Sequence, residues 1–544
     1  MIGYSGSGYK GMQLTHDQKT IEGDLFGAFV AAGAISKANA DDPKKSSLNR
    51  CARTDKGVHA AGNIISLKLI IEDPDIVSKI NENLSPQIRV WGIERTNGSF
   101  SAYQFCDSRI YEYLIPTHSF LPPHPKSFLG QKIIELNEEA NDMDGYRSRQ
   151  EEVAGFWDEA EEKYIKPVVE QIEPAIRDEV LRFFHNEEPF LNREEPKGDP
   201  EEQVTEDVPL CAPPIPAYSK AQPVDGVNDS EIKDGRQVKV EPSLKGDTKA
   251  EDEAEVKGEP ETKDEPPVKA EAVPSDETAA KDEPTTLNDA RAPHPSSKPS
   301  TPLDTALRAL RLAHSTAKRT HRIPPQRLAR IKSTLARFVG SHKFHNYTID
   351  KRPNDPSATR IIKSFVVADT PILIGDTEWL SLKVHGQSFM MHQIRKMVSM
   401  AALIVRCGCH EARIQDSYDP IRLSIPKAPS LGLLLERPVF DEYNKKLVEF
   451  GREKIEFGRF EGELEAFKQR EIYGRIFREE EQGGVFGGFW GGLDGSRAGG
   501  LLFLSSLGVE ACKRDVGRGE GGMKEEAVAG KMESDDEAGG GEEG

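Results

Sequence analysis

Arg53-Thr54-Asp55-Lys56-Gly57-Val58-His59-Ala60 places one carboxylate between two cations on a turn, and Asn63-Ile64-Ile65-Ser66-Leu67-Lys68-Leu69-Ile70-Ile71 follows with the pattern of a strand. Gly57 supplies the backbone freedom that a turn into that strand needs. Asp55 is therefore expected at a sheet edge, where clefts form. Arg53 and Lys56 are placed to lower its pKa and hold it ionised, as a nucleophile or charge stabiliser requires. The same spacing also fits a salt-bridged surface turn without chemistry.

Working outward, Thr15-x-x-Gln18 reads as a capping box ahead of a helix over 20–35, with Ile21, Leu25, Phe26, Phe29 and Val30 on one face to pack on a sheet. Further strands are predicted at 89–94, 109–115 and 379–384, an Arg-bearing helix over 307–337 and a long apolar helix over 387–405. Strands alternating with sheet-covering helices in two halves indicate an α+β fold. Gly6-x-Gly8-x-x-Gly11 matches a dinucleotide fingerprint in form only, because just Met1 and Ile2 precede its first glycine.

Period-2 geometry puts Arg109, Tyr111 and Tyr113 on one strand face, with Ile110, Glu112 and Leu114 on the other. That aromatic face suits either a ligand or the core. Arg395 interrupts the apolar helix, where a buried guanidinium is costly unless paired; the alternative is a side chain that snorkels to solvent. Helical spacing puts Met391, His392, Val398 and Ser399 on neighbouring surface.

The formal charge of −19 argues against a nucleic-acid partner until its distribution is read. Residues 201–290 hold 24 acidic and 10 basic side chains, and residues 523–544 hold 8 and 2, so the remainder is close to neutral. Residues 301–400 carry 17 Lys or Arg against 6 Asp or Glu, the excess expected of a phosphate-neutralising surface, or else of a solvated helix face. Six cysteines without paired zinc spacing imply a reducing compartment, and Cys407-Gly408-Cys409-His410 reads as free thiols after a helix.

Residues 192–300, rich in Pro, Glu, Lys and Asp, hold too little apolar surface to offset chain entropy and are expected to be a disordered acidic insertion. Within it Val-Lys-x-Glu recurs at Lys239, Lys257 and Lys269, the form of a SUMO acceptor site that low-complexity sequence also produces cheaply. Residues 514–544 read as a second disordered, Gly/Glu-rich tail.

The octet around Asp55 closely resembles the catalytic-aspartate motif of the TruA-class tRNA pseudouridine synthases, in the form of their eukaryotic nuclear branch. Four further stretches agree in order: Gly3-Tyr4-Ser5-Gly6-Ser7-Gly8-Tyr9-Lys10-Gly11-Met12-Gln13, Arg109 to Pro116, Gly340 to Thr348 and Gly386 to Val398. The resemblance covers roughly residues 1–190 and 320–510. It implies two similar halves sharing a central, mostly antiparallel sheet flanked by helices, with the active-site cleft between them. The corresponding division is 1–135 as N-terminal catalytic half, 136–191 as helical connection, and 301–513 as C-terminal half. It also implies that the first strand begins upstream of Met1.

By this resemblance Asp55 is the essential carboxylate, and Arg395 is its partner. Tyr111 stacks on the target uracil, while Arg53 and Arg109 belong to the substrate side. His345 and Tyr347 shape the cleft or pack in the core. His59 departs from related motifs, which carry a small residue there. The reaction breaks the C1′–N1 bond of uridine and rejoins the base through C5, so no cofactor and no metal are implied. The partners implied are tRNA and, beyond it, snRNA or mRNA, in the nucleus. A non-catalytic tRNA chaperone using the same basic cleft is the competing reading.

Overall fold

Ala60, Ala61 and Gly62 are too small to announce a strand by hydrophobic alternation, yet they form the middle of one, His59–Asn63, buried along its whole length. A methyl group on Gly62 would lie 2.9 Å from the Phe457 ring, so small residues let the neighbouring layer close over the sheet. The computed structural model describes residues 1–186 and 301–516, apart from His16, Asp41 and Ala498. The expected acidic insertion with Lys239, Lys257 and Lys269, and the tail beyond residue 516, lie outside the described residues.

The central sheet is built from β1 (Ile2–Tyr4), β2 (His59–Asn63), β3 (Ile88–Val90), β4 (Ser108–Pro116), β5 (Gly340–Lys343), β6 (Thr359–Val367), β7 (Ile372–Ile374), β8 (Thr377–Gly386) and β9 (Leu433–Val439). Its order is β3-β1-β2-β9-β4-β8-β6-β5, with β7 on β8. Every pairing is antiparallel except β2 with β9, which runs parallel with Leu434 opposite His59. With helices over its faces this is the α+β class expected. The late strand β9 is inserted between β2 and β4, so Asp55, just before β2, and Tyr111, on β4, are separated in the sheet by a segment from the far end of the chain.

Several local expectations are corrected. The run 63–71 is not one strand: β2 ends at Asn63, whose amide donates to the Ala52 carbonyl at 3.0 Å, and Ile65–Ser66 pairs separately with Asn49–Arg50. The first helix spans Ile21–Ala31 and is capped by Thr20, whose hydroxyl accepts from the Gly23 N–H at 3.2 Å; Thr15 is not the cap. The preceding residues instead fold back, with the Lys10 N–H bonded to the Lys19 carbonyl and the Leu14 N–H to Glu22. Ile21, Leu25, Phe26 and Phe29 are buried as expected, and Val30 is half-buried.

The Arg-bearing helix is two helices, Pro302–Arg319 and Pro325–Ala336, because Pro324-Pro325 disfavours the helical conformation before it and starts a new helix after it. The apolar helix begins at Gln393 rather than Gln387 and runs to Arg406 with all of its residues buried. Burying a large apolar side chain such as Leu403 or Ile404 stabilises the fold by about 1.5–3 kcal/mol. The six residues before Gln393 form an irregular turn in place of a helical one, and that turn makes part of the site.

Candidate active site

The glycine-rich stretch after β1 is a cradle for the Asp55 turn. A Cβ on Gly6 would lie 2.3 Å from the Val58 carbonyl oxygen, and one on Gly11, where φ is +109°, would lie 3.2 Å from that of Thr54. Only glycine permits so close an approach of two backbones. Polar bonds then fix it: Met12 N–H to the Thr54 carbonyl at 3.1 Å, the Tyr4 and Thr54 hydroxyls sharing a bond of 2.8 Å, and Gly6 N–H to His59 Nδ1 at 3.1 Å. Burial pushes the His59 imidazole down to about 4, so it stands neutral with Nδ1 as acceptor. His59 thus has a local structural use, bonding the glycine-rich stretch to the start of β2.

From the other side, Gly57, with φ +76°, turns toward Ser430, and the 427–430 segment closes on the loop. That segment is anchored upstream by Asn346, whose amide donates to the Ile421 carbonyl at 3.0 Å and whose Oδ1 accepts from the Leu423 N–H at 2.9 Å. Tyr347 is fully buried with its hydroxyl bonded to Ser417 at 2.7 Å, while His345 Nε2 bonds the Ile421 carbonyl at 3.1 Å. Residues 345–347 therefore hold the loop that carries Lys427.

Asp55 remains open to a substrate, with 32% of its side chain exposed. Its Oδ2 accepts a hydrogen bond of 3.1 Å from His392 Nδ1. Burial pushes the carboxyl up, but the His392 bond and charge, and then the charges of Arg395 and Lys427, bring its pKa below the ordinary carboxylate value. Arg395 is 5% exposed and donates its Nε–H to the Ala428 carbonyl at 2.6 Å. Sequence reasoning put Arg395 beside Asp55 and placed His392 only on neighbouring surface; the hydrogen bond to Asp55 comes from His392. The interrupted helix start is the signal that local periodicity missed.

Tyr111 lies on β4 with its ring edge-on to Phe389, centroids 5.3 Å apart at 82°. Burial raises its pKa, opposed by Arg109, so the phenol is neutral; the Asp55 charge also bears on it. Phe389 packs tightly there because Gly386 has no side chain: a Cβ would meet the Phe389 ring at 2.7 Å. Arg109 is buried and donates to the carbonyls of Gln387 at 3.1 Å and Cys51 at 2.9 Å, tying the turn before the apolar helix to the segment that leads into Asp55. Tyr113, one face-repeat on, donates to the Pro429 carbonyl at 2.7 Å. Arg53 is exposed on the same loop as Asp55.

The opposite face of β4 carries Glu112, which accepts from the Tyr473 hydroxyl at 2.5 Å and from Ser381. The two faces thus divide as the strand period requires. The cationic excess of 301–400 needs a correction, because several of those side chains are structural. Arg327 is fully buried and bonded to the Phe120 and Val405 carbonyls, Gln150 and Glu152, while Arg330 donates to the Arg149 and Cys409 carbonyls. Lys396 donates to the Thr348 carbonyl at 3.1 Å. A charge count alone does not distinguish such staples from a phosphate-binding surface. Cys407 and Cys409 are free and buried.

A profile of the tRNA pseudouridine synthases matches residues 335–441, the stretch that holds β5 to β9, His392 and Arg395. Two relatives extend the likeness over nearly the whole chain. The chain is 42% identical to the tRNA pseudouridine synthase 1 of Schizosaccharomyces pombe, over 95% of this chain and 86% of the relative. It is 39% identical to that of Yarrowia lipolytica, over 91% of this chain and 73% of the relative. The tRNA pseudouridine(27/28) synthase of Saccharomyces cerevisiae is more distant, 29% identical over 89% of this chain and 96% of its own. This chain belongs to the tRNA pseudouridine synthase family.

Proposed function

We propose that the protein is an isomerase that converts uridines of tRNA to pseudouridine, with Asp55 as the essential carboxylate. The observation that carries this reading is one accessible carboxylate held ionised by His392, Arg395 and Lys427, whose charge is felt at the neutral phenol of Tyr111. In the isomerisation the N1–C1′ bond breaks and the C5–C1′ bond forms, N1 gains a proton and C5 loses one. Atoms therefore balance without a co-reactant. The everted uridine needs a negative charge at the sugar–base junction and a flat partner that keeps the freed uracil from leaving. Asp55 supplies the first and Tyr111 the second, while Arg53 contacts the RNA from the loop edge.

Arg395 supports the charge of Asp55, and Arg109 sets the spacing of the two segments that carry Asp55 and Phe389. The family resemblance supports a nuclear site of action, with snRNA and mRNA as further substrates.

The test is base-resolution pseudouridine mapping on unmodified tRNA incubated with wild-type protein and with Asp55→Ala, alongside a tRNA-binding measurement. Product with wild type, none with Asp55→Ala, and comparable binding by both are expected. Wild-type-level product from Asp55→Ala refutes the reading.

A further inference from the structure

We infer that His392 is the positioning residue for Asp55, holding the carboxylate in its reactive orientation through an Nδ1–H···Oδ2 bond that a left-handed backbone at the helix start makes possible. This rests on the reading of Asp55 as the essential carboxylate. Among the described residues five non-glycine positions have positive φ: Asp17, Ser47, Asn141, Asp350 and His392. The first four are exposed, where a polar residue adopts this conformation at little consequence; His392 alone among them is buried.

A buried residue held at φ +60°, ψ 0° persists only where its surroundings over-determine it. Here Met390 N–H donates to Gln393 Oε1 at 2.9 Å, Gln393 N–H to the Met390 carbonyl at 3.1 Å, and Lys396 N–H to the His392 carbonyl at 3.0 Å. The turn is locked on both sides of His392, and its imidazole meets Asp55.

An ionised carboxylate only accepts, so the proton in the 3.1 Å bond belongs to Nδ1. That requirement fixes the tautomer of a neutral imidazole and is met equally by the cation. His392 thus favours the charged form of Asp55 and holds Oδ2 in one orientation. Other groups around Asp55 are Arg395 on the same helix, Lys427 on the facing segment, Tyr111 on β4, and Arg53 and Lys56 on its own loop. The two named with His392 as lowering the carboxyl, Arg395 and Lys427, act through charge, whereas His392 adds a directional bond.

The left-handed backbone supplies a clean experiment. His392→Gly removes the imidazole and suits this conformation, so it should fold with a melting temperature at or near wild type. Asn also tolerates the left-handed region and carries an N–H donor close to the place of Nδ1. Steady-state kinetics on unmodified tRNA are measured for wild type, His392→Gly, His392→Asn and Asp55→Ala across pH 5 to 9.

The expected results for His392→Gly are a kcat at least tenfold lower, KM within about twofold, and the acidic limb of activity moved to higher pH. His392→Asn should recover most of the rate. Wild-type kcat and pH profile in His392→Gly overturn the inference, as does a His392→Asn variant no better than the glycine. If instead Asp55→Ala is active, the reading of Asp55 itself fails, which separates the two failures.

Discussion

The Arg395 Nε–H donates to the Ala428 carbonyl at 2.6 Å, and the Ala428 N–H donates back to the Arg395 carbonyl at 3.3 Å. This reciprocal pair staples the buried helix to the segment that carries Lys427 and rests against Gly57. Arg395 therefore contributes a charge near Asp55 and the position of a second one. Lysine keeps a charge but has no Nε–H on a planar head. Arg395→Lys is expected to lower stability by about 1–3 kcal/mol and kcat by more than tenfold. Urea unfolding and steady-state kinetics on tRNA check both; unchanged stability would show that the staple contributes nothing.

Gly6 touches the backbone of the Asp55 turn where nothing can yield, since the nearest atoms to an added Cβ belong to the main chain of Val58 and Gly57. Gly6→Ala is expected to cost about 1–3 kcal/mol or more and to cut activity by displacing Asp55. Gly27→Ala is the control, being an exposed helical position with open space around it, and it should be neutral or slightly stabilising. Melting temperature and pseudouridine yield for the two variants test the contrast.

His59 makes stability depend on pH. Its folded pKa is lowered to about 4 by burial, from the ordinary 6.5. Between those values the unfolded chain binds more protons than the folded one, so this contribution is present at neutral pH and is lost as pH falls from 6.5 toward 4. At pH 5 the loss amounts to about 2 kcal/mol. His59→Asn keeps an acceptor for the Gly6 N–H and removes the titration. Denaturant unfolding at pH 7 and pH 5 should show a smaller difference for the variant; equal differences would mean that His59 is not held neutral.

Local sequence carried what depends on neighbours within a few residues. The turn at Gly57, the face repeat of Tyr111 and Tyr113 and the apolar side of the first helix were all legible from spacing, whereas the groups that most lower the Asp55 carboxyl are His392, Arg395 and Lys427 in place of the flanking Arg53 and Lys56. The same signals failed where packing overrode them. Ala60-Ala61-Gly62 is a strand because the Phe457 ring lies against it, and the helix at Gln393 starts late because Arg109 and the Phe389 ring claim the residues before it.

The chain alone thus determined the family and the class of fold and singled out Asp55, because motifs and periodicity are properties of short segments. Only the tertiary structure decided what surrounds that carboxylate. His392 and Asp55 are 337 residues apart in the chain, and their bond exists because β9 inserts between β2 and β4 while a wholly buried helix docks behind them. Register and burial, summed over many distant apolar contacts, choose which donor meets which acid; spacing along the backbone carries no record of that choice.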